Sequence, residues 1–209
     1  MIPKHPFFDQ ARRGYHHGRL KDALIEAALS LVAQRGPHGF TLAEAAKLVG
    51  VTAAAPYRHF ADRNELMGEL ARRGFELFGD RLAKAWDEGR PEARVALRRM
   101  GRAYLAFASA EPGLYTAMFQ NAKNLYGPKA ELVANQAFEG LIHAASAVLA
   151  RKGVSPVETR RLASELWALA HGTAMLTLAG HLGRNQDPAD ILEHGAEALI
   201  ERALVSGGR

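Results

Sequence analysis

The chain is predicted to be all-α, and three observations predict it. Apolar residues recur at intervals of three and four along most of its 209 residues, the spacing that lines one face of a helix. Helix-start signals stand at Thr41-x-x-Glu44, Asp62-x-x-Glu65 and Ser155-Pro156-x-Glu158, with Gly and Pro breakers between the periodic stretches. No alternating period-2 run and no hairpin-turn signal occurs. The expected architecture is an N-terminal three-helix helix-turn-helix domain followed by a larger helical bundle, about nine helices in all.

Taken in order, residues 1–14 mix Pro, Lys, His, Phe and Arg without periodicity and read as a flexible arm. Leu20–Arg35 is an amphipathic helix with Leu24, Ala27, Ala28, Leu31 and Val32 on one face, stopped by Gly36-Pro37-His38-Gly39. Phe40 precedes the Thr41–Glu44 capping box where a hydrophobic staple belongs. Leu42, Ala45, Ala46 and Val49 give the next helix its apolar face, and Gly50 suits a left-handed C-cap. Thr52 is expected to cap a second short helix carrying Tyr57 and Phe60. Two short helices joined by a tight Gly-Val turn make a helix-turn-helix.

Asp62–Glu88 reads as a long helix with Leu66, Leu70, Phe75, Phe78, Leu82 and Trp86 inward. Ala93–Ala110, a short helix opened by Pro112, Lys129–Arg151, Ser155/Pro156–Leu182 and Ala189–Val205 complete the set. Ala163, Leu166, Ala170, Thr173, Ala174, Thr177 and Leu178, with Leu192, Ala196, Leu199, Ile200 and Ala203, are wide apolar faces that could pack a second copy.

Composition narrows the function. A chain of this length buries a core without staples. It has no cysteine, which removes disulfides, thiolate zinc sites and cysteine nucleophiles. No apolar run reaches about 18 residues, so no membrane partner is expected. Pro3, Asp9, Arg12 and Arg13 stand where a signal peptide needs its apolar core, which makes a cytoplasmic location the expectation. Residues 1–60 carry eight Lys and Arg against four Asp and Glu; residues 61–209 carry nineteen against eighteen. A basic excess around the helix-turn-helix is what phosphate binding requires. No G-x-S-x-G, H-E-x-x-H, P-loop or G-x-G-x-x-G is present, so no enzyme and no cofactor is expected. His16-His17, beside Arg12, Arg13 and Arg19, reads as a phosphate-side pair rather than a metal site.

The run Thr41–Leu66 resembles the DNA-binding core of the TetR family of bacterial repressors, whose Tyr-x-His-Phe signature is met here as Tyr57-Arg58-His59-Phe60, followed by Arg63. Tyr15-His16-His17-Gly18 resembles the family's lead-in, and Trp167–Gly172 (W-A-L-A-H-G) resembles a Trp-His-Gly motif of one branch. The resemblance implies a helix-turn-helix domain over 15–62, and a ligand-binding and dimerisation domain over 63–209. It also implies a homodimeric repressor that binds a palindromic double-stranded DNA operator and is released by a small apolar or aromatic effector. Carried over by position, Ala53, Ala54, Ala55 and Arg58 face the bases, Tyr57, His59, Arg63, Thr41 and Lys47 hold phosphates, and Thr52 belongs to the same DNA-binding segment.

Three alanines offer only methyl contacts, which leaves Arg58 as the direct reader of a guanine edge, with a phosphate grip as its other reading. Pro56 stands where the family has an aliphatic residue and puts the register of Ala53–Ala55 in question. Tyr104, Phe107, Tyr115, Met118, Phe119, Trp167, His171 and Met175 have the composition of an effector pocket, with ordinary core as the alternative for each. An architectural DNA-binding protein with no effector is the second functional expectation.

Overall fold

The computed structural model describes residues 17–119, 128–150, 153–183 and 185–206. The arm expected over 1–14 and the Tyr15-His16 lead-in lie outside the described residues. Among the described residues the protein is all-helical. Its eight α-helices are α1 (His17–Arg35), α2 (Leu42–Val49), α3 (Arg63–Trp86), α4 (Ala93–Ala110), α5 (Pro112–Phe119), α6 (Pro128–Leu149), α7 (Pro156–Leu178) and α8 (Pro188–Ser206), with short 3-10 segments at Ala55–Arg58 and Asp87–Gly89.

Local signals set most of these boundaries. Thr41 and Glu44 form the reciprocal capping box, with the Glu44 N–H donating to the Thr41 hydroxyl at 3.2 Å and the Thr41 N–H to the Glu44 carboxylate at 2.8 Å. Gly50 takes the left-handed C-cap at φ 80°. Asp62 caps α3 through the Glu65 N–H at 2.8 Å. The last carbonyls of α3, left without intrahelical donors, are taken by Arg99, which donates to the carbonyls of Ala85, Trp86 and Arg90.

Two expectations need correction. The ninth helix, the second of the motif, is a single 3-10 turn at Ala55–Arg58, and Thr52 does not cap it with its side chain. Pro56 is the cause. An α-turn opening at Thr52 would need the residue-56 N–H to reach the Thr52 carbonyl, and proline has none. The Ala55 N–H takes that carbonyl instead at 3.0 Å, and His59 N–H to Pro56 O (2.9 Å) continues the tighter winding. The second correction concerns α7, which ends at Leu178 rather than Leu182. Gly180 adopts φ 69°, and the Gly180 and His181 N–H groups turn back onto Thr177 and Leu176. His181 therefore lies beyond the helix that carries His171.

The apolar faces make two cores. Leu24, Ile25, Ala28, Leu31, Val32, Phe40, Leu42, Ala45, Phe60, Leu66, Met67 and Leu70 form the smaller one under the motif, joined by Ala117 from α5. Phe75, Phe78, Leu82, Met100, Tyr104, Phe107, Tyr115, Leu162 and Leu166 centre the larger one. Helix α3 runs through both. Of the residues proposed to pack a second copy, Ala163, Leu166, Ala170, Thr173, Ala174, Leu192, Ile200 and Ala203 are buried within this chain. The small size of Ala163, Ala170 and Ala174 serves the crossing of α7 with its own neighbours. The ion pairs Arg202 to Glu158 and Glu165 tie α8 to α7, and Arg94 and Arg102 tie α4 to Glu197, Glu201 and Glu193 of α8.

Candidate nucleic-acid interface and bundle interior

The 3-10 turn is seated by two buried residues and displays two exposed ones. Pro56 is buried and Phe60 is 2% exposed, whereas Tyr57 stands 60% exposed with Arg58 beside it. Phe60 is thus the core residue that its hydrophobic spacing implies, and Tyr57 is not. Thr52, Ala53 and Ala54 are exposed in the connection, Ala55 is half-buried at the turn, and His59 is half-buried behind it. Lys47 lies exposed on α2. No side-chain hydrogen bond or ion pair of Arg58 or Lys47 occurs among the described residues, so both cations are free to meet an anion.

Thr41 and Arg63 are placed differently from these. The Thr41 hydroxyl and N–H are both engaged with Glu44, whose carboxylate also accepts from Arg35 at 2.9 Å. The Thr41 backbone and side chain, with Arg35, hold the Glu44 carboxyl below the usual carboxylate range. An anion therefore already occupies the N-terminus of α2. The guanidinium of Arg63 lies 5.0 Å from the centroid of the Phe40 ring, with Nε and one Nη buried and without a hydrogen-bond partner. Burial lowers its pKa. In this arrangement Arg63 packs the first turn of α3 onto the staple residue.

Inside the bundle, the residues singled out as an effector pocket form one aromatic cluster. The Tyr104 and Tyr115 hydroxyls are 3.1 Å apart, and the Tyr115 hydroxyl is 2.8 Å from His171 Nδ1. The order Tyr104 O–H to Tyr115 to His171 Nδ1 uses both hydroxyl protons and leaves the imidazole neutral. Burial raises both phenols, Tyr115 to about 12, and lowers His171. Phe119 packs at 4.6 Å from the His171 ring and 6.2 Å from Trp167. Phe107, Tyr115 and Met118 are at most 1% exposed, and Met175 is half-buried against the same core.

Phe75, Phe78 and Phe138 belong to this cluster although its composition alone did not single them out. Phe78 sits 5.0 Å from Tyr104, 5.2 Å from Phe107 and 6.4 Å from Trp167. The inward positions of Phe75 and Phe78 on α3 were readable, but their partners were not, and nothing in the sequence marked Phe138. Tyr104 and Trp167 border an apolar gap of about 50 Å³, enough for side-chain movement but not for a ligand. A cleft of about 700 Å³ lies instead between α3 and α6, lined by Phe75, Glu76, Asp80, Trp86, Glu139 and His143 among others. Its charged members on α3, Glu76 and Asp80, are spaced i, i+4, which reads in sequence as an ordinary solvated face. No group of three or more His, Asp or Glu side chains able to hold a metal occurs among the described residues. No described helix is long and apolar enough to cross a membrane.

One short element touches both cores. Helix α5 sends Leu114, Tyr115 and Met118 into the bundle and Ala117 into the core under the motif. A Cβ added to Gly113 would stand 2.7 Å from the Leu29 carbonyl oxygen of α1, so the two backbones are in contact. A Cβ on Gly74 of α3 would meet the Met118 side chain at 2.7 Å. A displacement of α5 is therefore felt by α1 and α3 together.

Comparison with known proteins agrees with this arrangement. Residues 24–70 match the family described as bacterial regulatory proteins, tetR family, and residues 97–199 match the tetracyclin repressor-like C-terminal domain. The chain is 24% identical over 190 residues to YobS, an uncharacterized HTH-type transcriptional regulator of Bacillus subtilis (strain 168), a match spanning 90% of this chain and 95% of that one. It is 29% identical over 160 residues to the nucleoid occlusion factor SlmA of Vibrio cholerae, spanning 74% and 81%. Among solved structures, a protein of unknown function from Rhodococcus sp. RHA1 superposes with a TM-score of 0.77 at 26% identity, over 91% of this chain and 98% of that one. The TetR family transcriptional regulator PfmR from Thermus thermophilus gives 0.68 at 16%, over 85% and 97%. Its two matched domains, in this order and on this fold, make the chain a member of the TetR family of DNA-binding transcriptional regulators.

Proposed function

We propose that the chain is a cytoplasmic homodimeric repressor that grips a palindromic operator and releases it when a small molecule binds the bundle. The observation that carries this reading is the 3-10 turn, which holds Tyr57 and Arg58 in solvent over the buried Pro56 and Phe60. Arg58 reads a base edge, with Tyr57, His59 and Lys47 against the phosphates and Thr52–Ala55 lining the groove. Thr41 fixes α2 through its cap, and Arg63 fixes the start of α3.

The outer faces of α7 and α8 form the subunit contact. Val157, Ala168, Leu176 and Leu178 on α7, and Ala198 and Val205 on α8, are exposed in the single chain. Small residues there let two copies approach closely. A two-fold pair would set the two turns about 34–36 Å apart, one turn of DNA. Within Trp167–Gly172, His171 anchors α5 to α7 through Tyr115.

Release works through α5 and α3, because both span the two cores. A ligand that favours one placement of these helices shifts the spacing of the recognition turns without new chemistry. Sedimentation with a duplex carrying the operator should give two chains per palindrome. Leu176→Asp should leave single chains and weaken operator binding; dimers that persist unchanged in this variant would contradict the interface.

A second reading is an architectural role without an effector. It is favoured by the similarity to a nucleoid occlusion factor. A thermal-shift screen separates the two, since an effector stabilises the folded chain by mass action.

A further inference from the structure

Helix α3 ends in a turn that one of its own residues resists. A helix is commonly closed by one left-handed residue, most often glycine. Here three follow one another, Asp87 at φ 46°, Glu88 at φ 54° and Gly89 at φ 78°. Gly89 suits its place, because a Cβ there would stand 3.1 Å from the Trp86 ring and glycine takes a positive φ freely. Aspartate also visits the left-handed region. Glutamate resists it, since its Cβ crowds the following carbonyl oxygen.

Nothing on the Glu88 side chain offsets that conflict. The side chain is 86% exposed and reaches Arg90 only at 3.7 Å across open surface. Such a pair contributes little. The strain is therefore imposed from outside the residue, and strained backbone persists only where its surroundings over-determine it.

The chief restraint is one guanidinium. Arg99 of α4 donates to the carbonyl of Ala85, to that of Trp86 at 3.3 Å and to that of Arg90 at 3.1 Å. It thus staples the turn from both sides. Arg90 adds a bond to the Asp87 carboxylate at 2.8 Å. Helix α4 is itself tied to α8 by Arg94 to Glu197 and Glu201, and by Arg102 to Glu193. At its other end α3 places Leu66, Met67 and Leu70 in the core under the motif. Its 24 residues span about 36 Å, so a tilt of about 3° at Trp86 moves the Arg63 end by about 2 Å.

We propose that Arg99 is a positioning residue for DNA binding. By holding the strained turn closed, it fixes the placement of α3, and of the motif joined to it, against the bundle. Without the staple, Glu88 returns to the right-handed region and the joint opens.

The test reads distances within one chain and needs neither an effector nor a second copy. The chain has no cysteine, so Ala43→Cys on α2 and Ala106→Cys on α4, both at exposed positions, carry the only spin labels. Unlabelled chain in excess confines the dipolar signal to single molecules. Arg99→Met keeps the stem and removes every side-chain donor. It should broaden the distance distribution and weaken binding several-fold on the duplex that the parent enriches from a random library. Glu88→Gly alone should leave the distances as they are and raise the melting temperature by about 2–4 °C. The two together should recover the narrow distribution, because a glycine turn stays closed without the staple. An ordinary helix cap predicts no such rescue, since Glu88→Gly supplies no donor to Ala85, Trp86 or Arg90. Arg99→Lys, a point charge in place of the fork, should fall between, and it replaces Arg99→Met if that variant does not fold.

The proposal is overturned if Arg99→Met keeps the parent's distances, if Glu88→Gly fails to raise the melting temperature, or if the double variant is no narrower than Arg99→Met. The DNA measurement alone rests on the operator reading above. A library with no enriched duplex contradicts that reading and leaves the distances to decide the joint. Unchanged distances beside an enriched duplex contradict the joint alone.

Discussion

Arg58 is where the account of DNA reading is most exposed to test. A bidentate contact with a guanine edge contributes about 1–3 kcal/mol of discrimination. Arg58→Ala should therefore cost that much on operator and little on random duplex, measured at one fixed salt concentration. Equal losses on both would make Arg58 a phosphate contact. His171 gives a second residue-scale prediction. Burial lowers its pKa below the usual 6.5, so as pH falls the unfolded chain takes up the proton first. The stability it contributes is complete above about pH 6.5 and is lost as pH falls through its folded value. His171→Gln should flatten that part of the melting-temperature profile below pH 6.5; an unchanged slope would contradict a buried neutral imidazole. Residues with neighbours close in sequence, such as Thr41, Glu44, Gly50 and Asp62, were legible, because a cap is a local object. The partners of His171 and Arg63 were not. Tyr115 lies 56 positions from His171, and only the folded chain stacks Arg63 on Phe40.

At the scale of the element, the recognition turn shows how one residue overrides a pattern. The i, i+3 spacing of Tyr57 and Phe60 suits a helix, but Pro56 withholds the bond that would close its first turn. Pro56→Ala restores that N–H. If the segment relaxes to an α-turn, three residues of winding change by about 60°, enough to swing Arg58 off its base edge. The expected result is weaker operator binding, little change on random DNA and no loss of helical signal by circular dichroism. Operator binding equal to the parent would show that the 3-10 geometry is incidental. Helices α1, α2, α4 and α8 were readable within a residue or a few, because breakers and periodicity agree there. The end of α7 was not, because Gly180 is a single left-handed stop inside a run of apolar residues. The aromatic faces of α3 were legible as core. The cleft that Phe75 and Trp86 share with Glu76, Asp80 and α6 was not, since nothing in sequence says which helix faces that edge of α3.

For the whole molecule, α3 and α5 contribute side chains to both cores and so connect the motif with the bundle. Phe78 sits at the centre of the larger core, and its truncation to alanine should cost about 3–5 kcal/mol by leaving a cavity among Tyr104, Phe107 and Trp167. A thermal melt checks it, and a cost under about 1 kcal/mol would mean that the aromatic cluster collapses freely. All-helical class, the order of the two matched domains and the position of the helix-turn-helix followed from periodicity, caps and the Tyr-x-His-Phe signature. The cleft between α3 and α6 did not, because a cavity is a relation between helices far apart in the chain. The central claim is that two copies of the turn at Ala55–Arg58 read one palindrome. Selection from a random duplex library at a fixed salt concentration tests it most directly. An enriched palindrome with half-sites about one helical turn apart is expected. Binding without enrichment, fading as salt rises, would contradict it and leave a sequence-indifferent architectural protein.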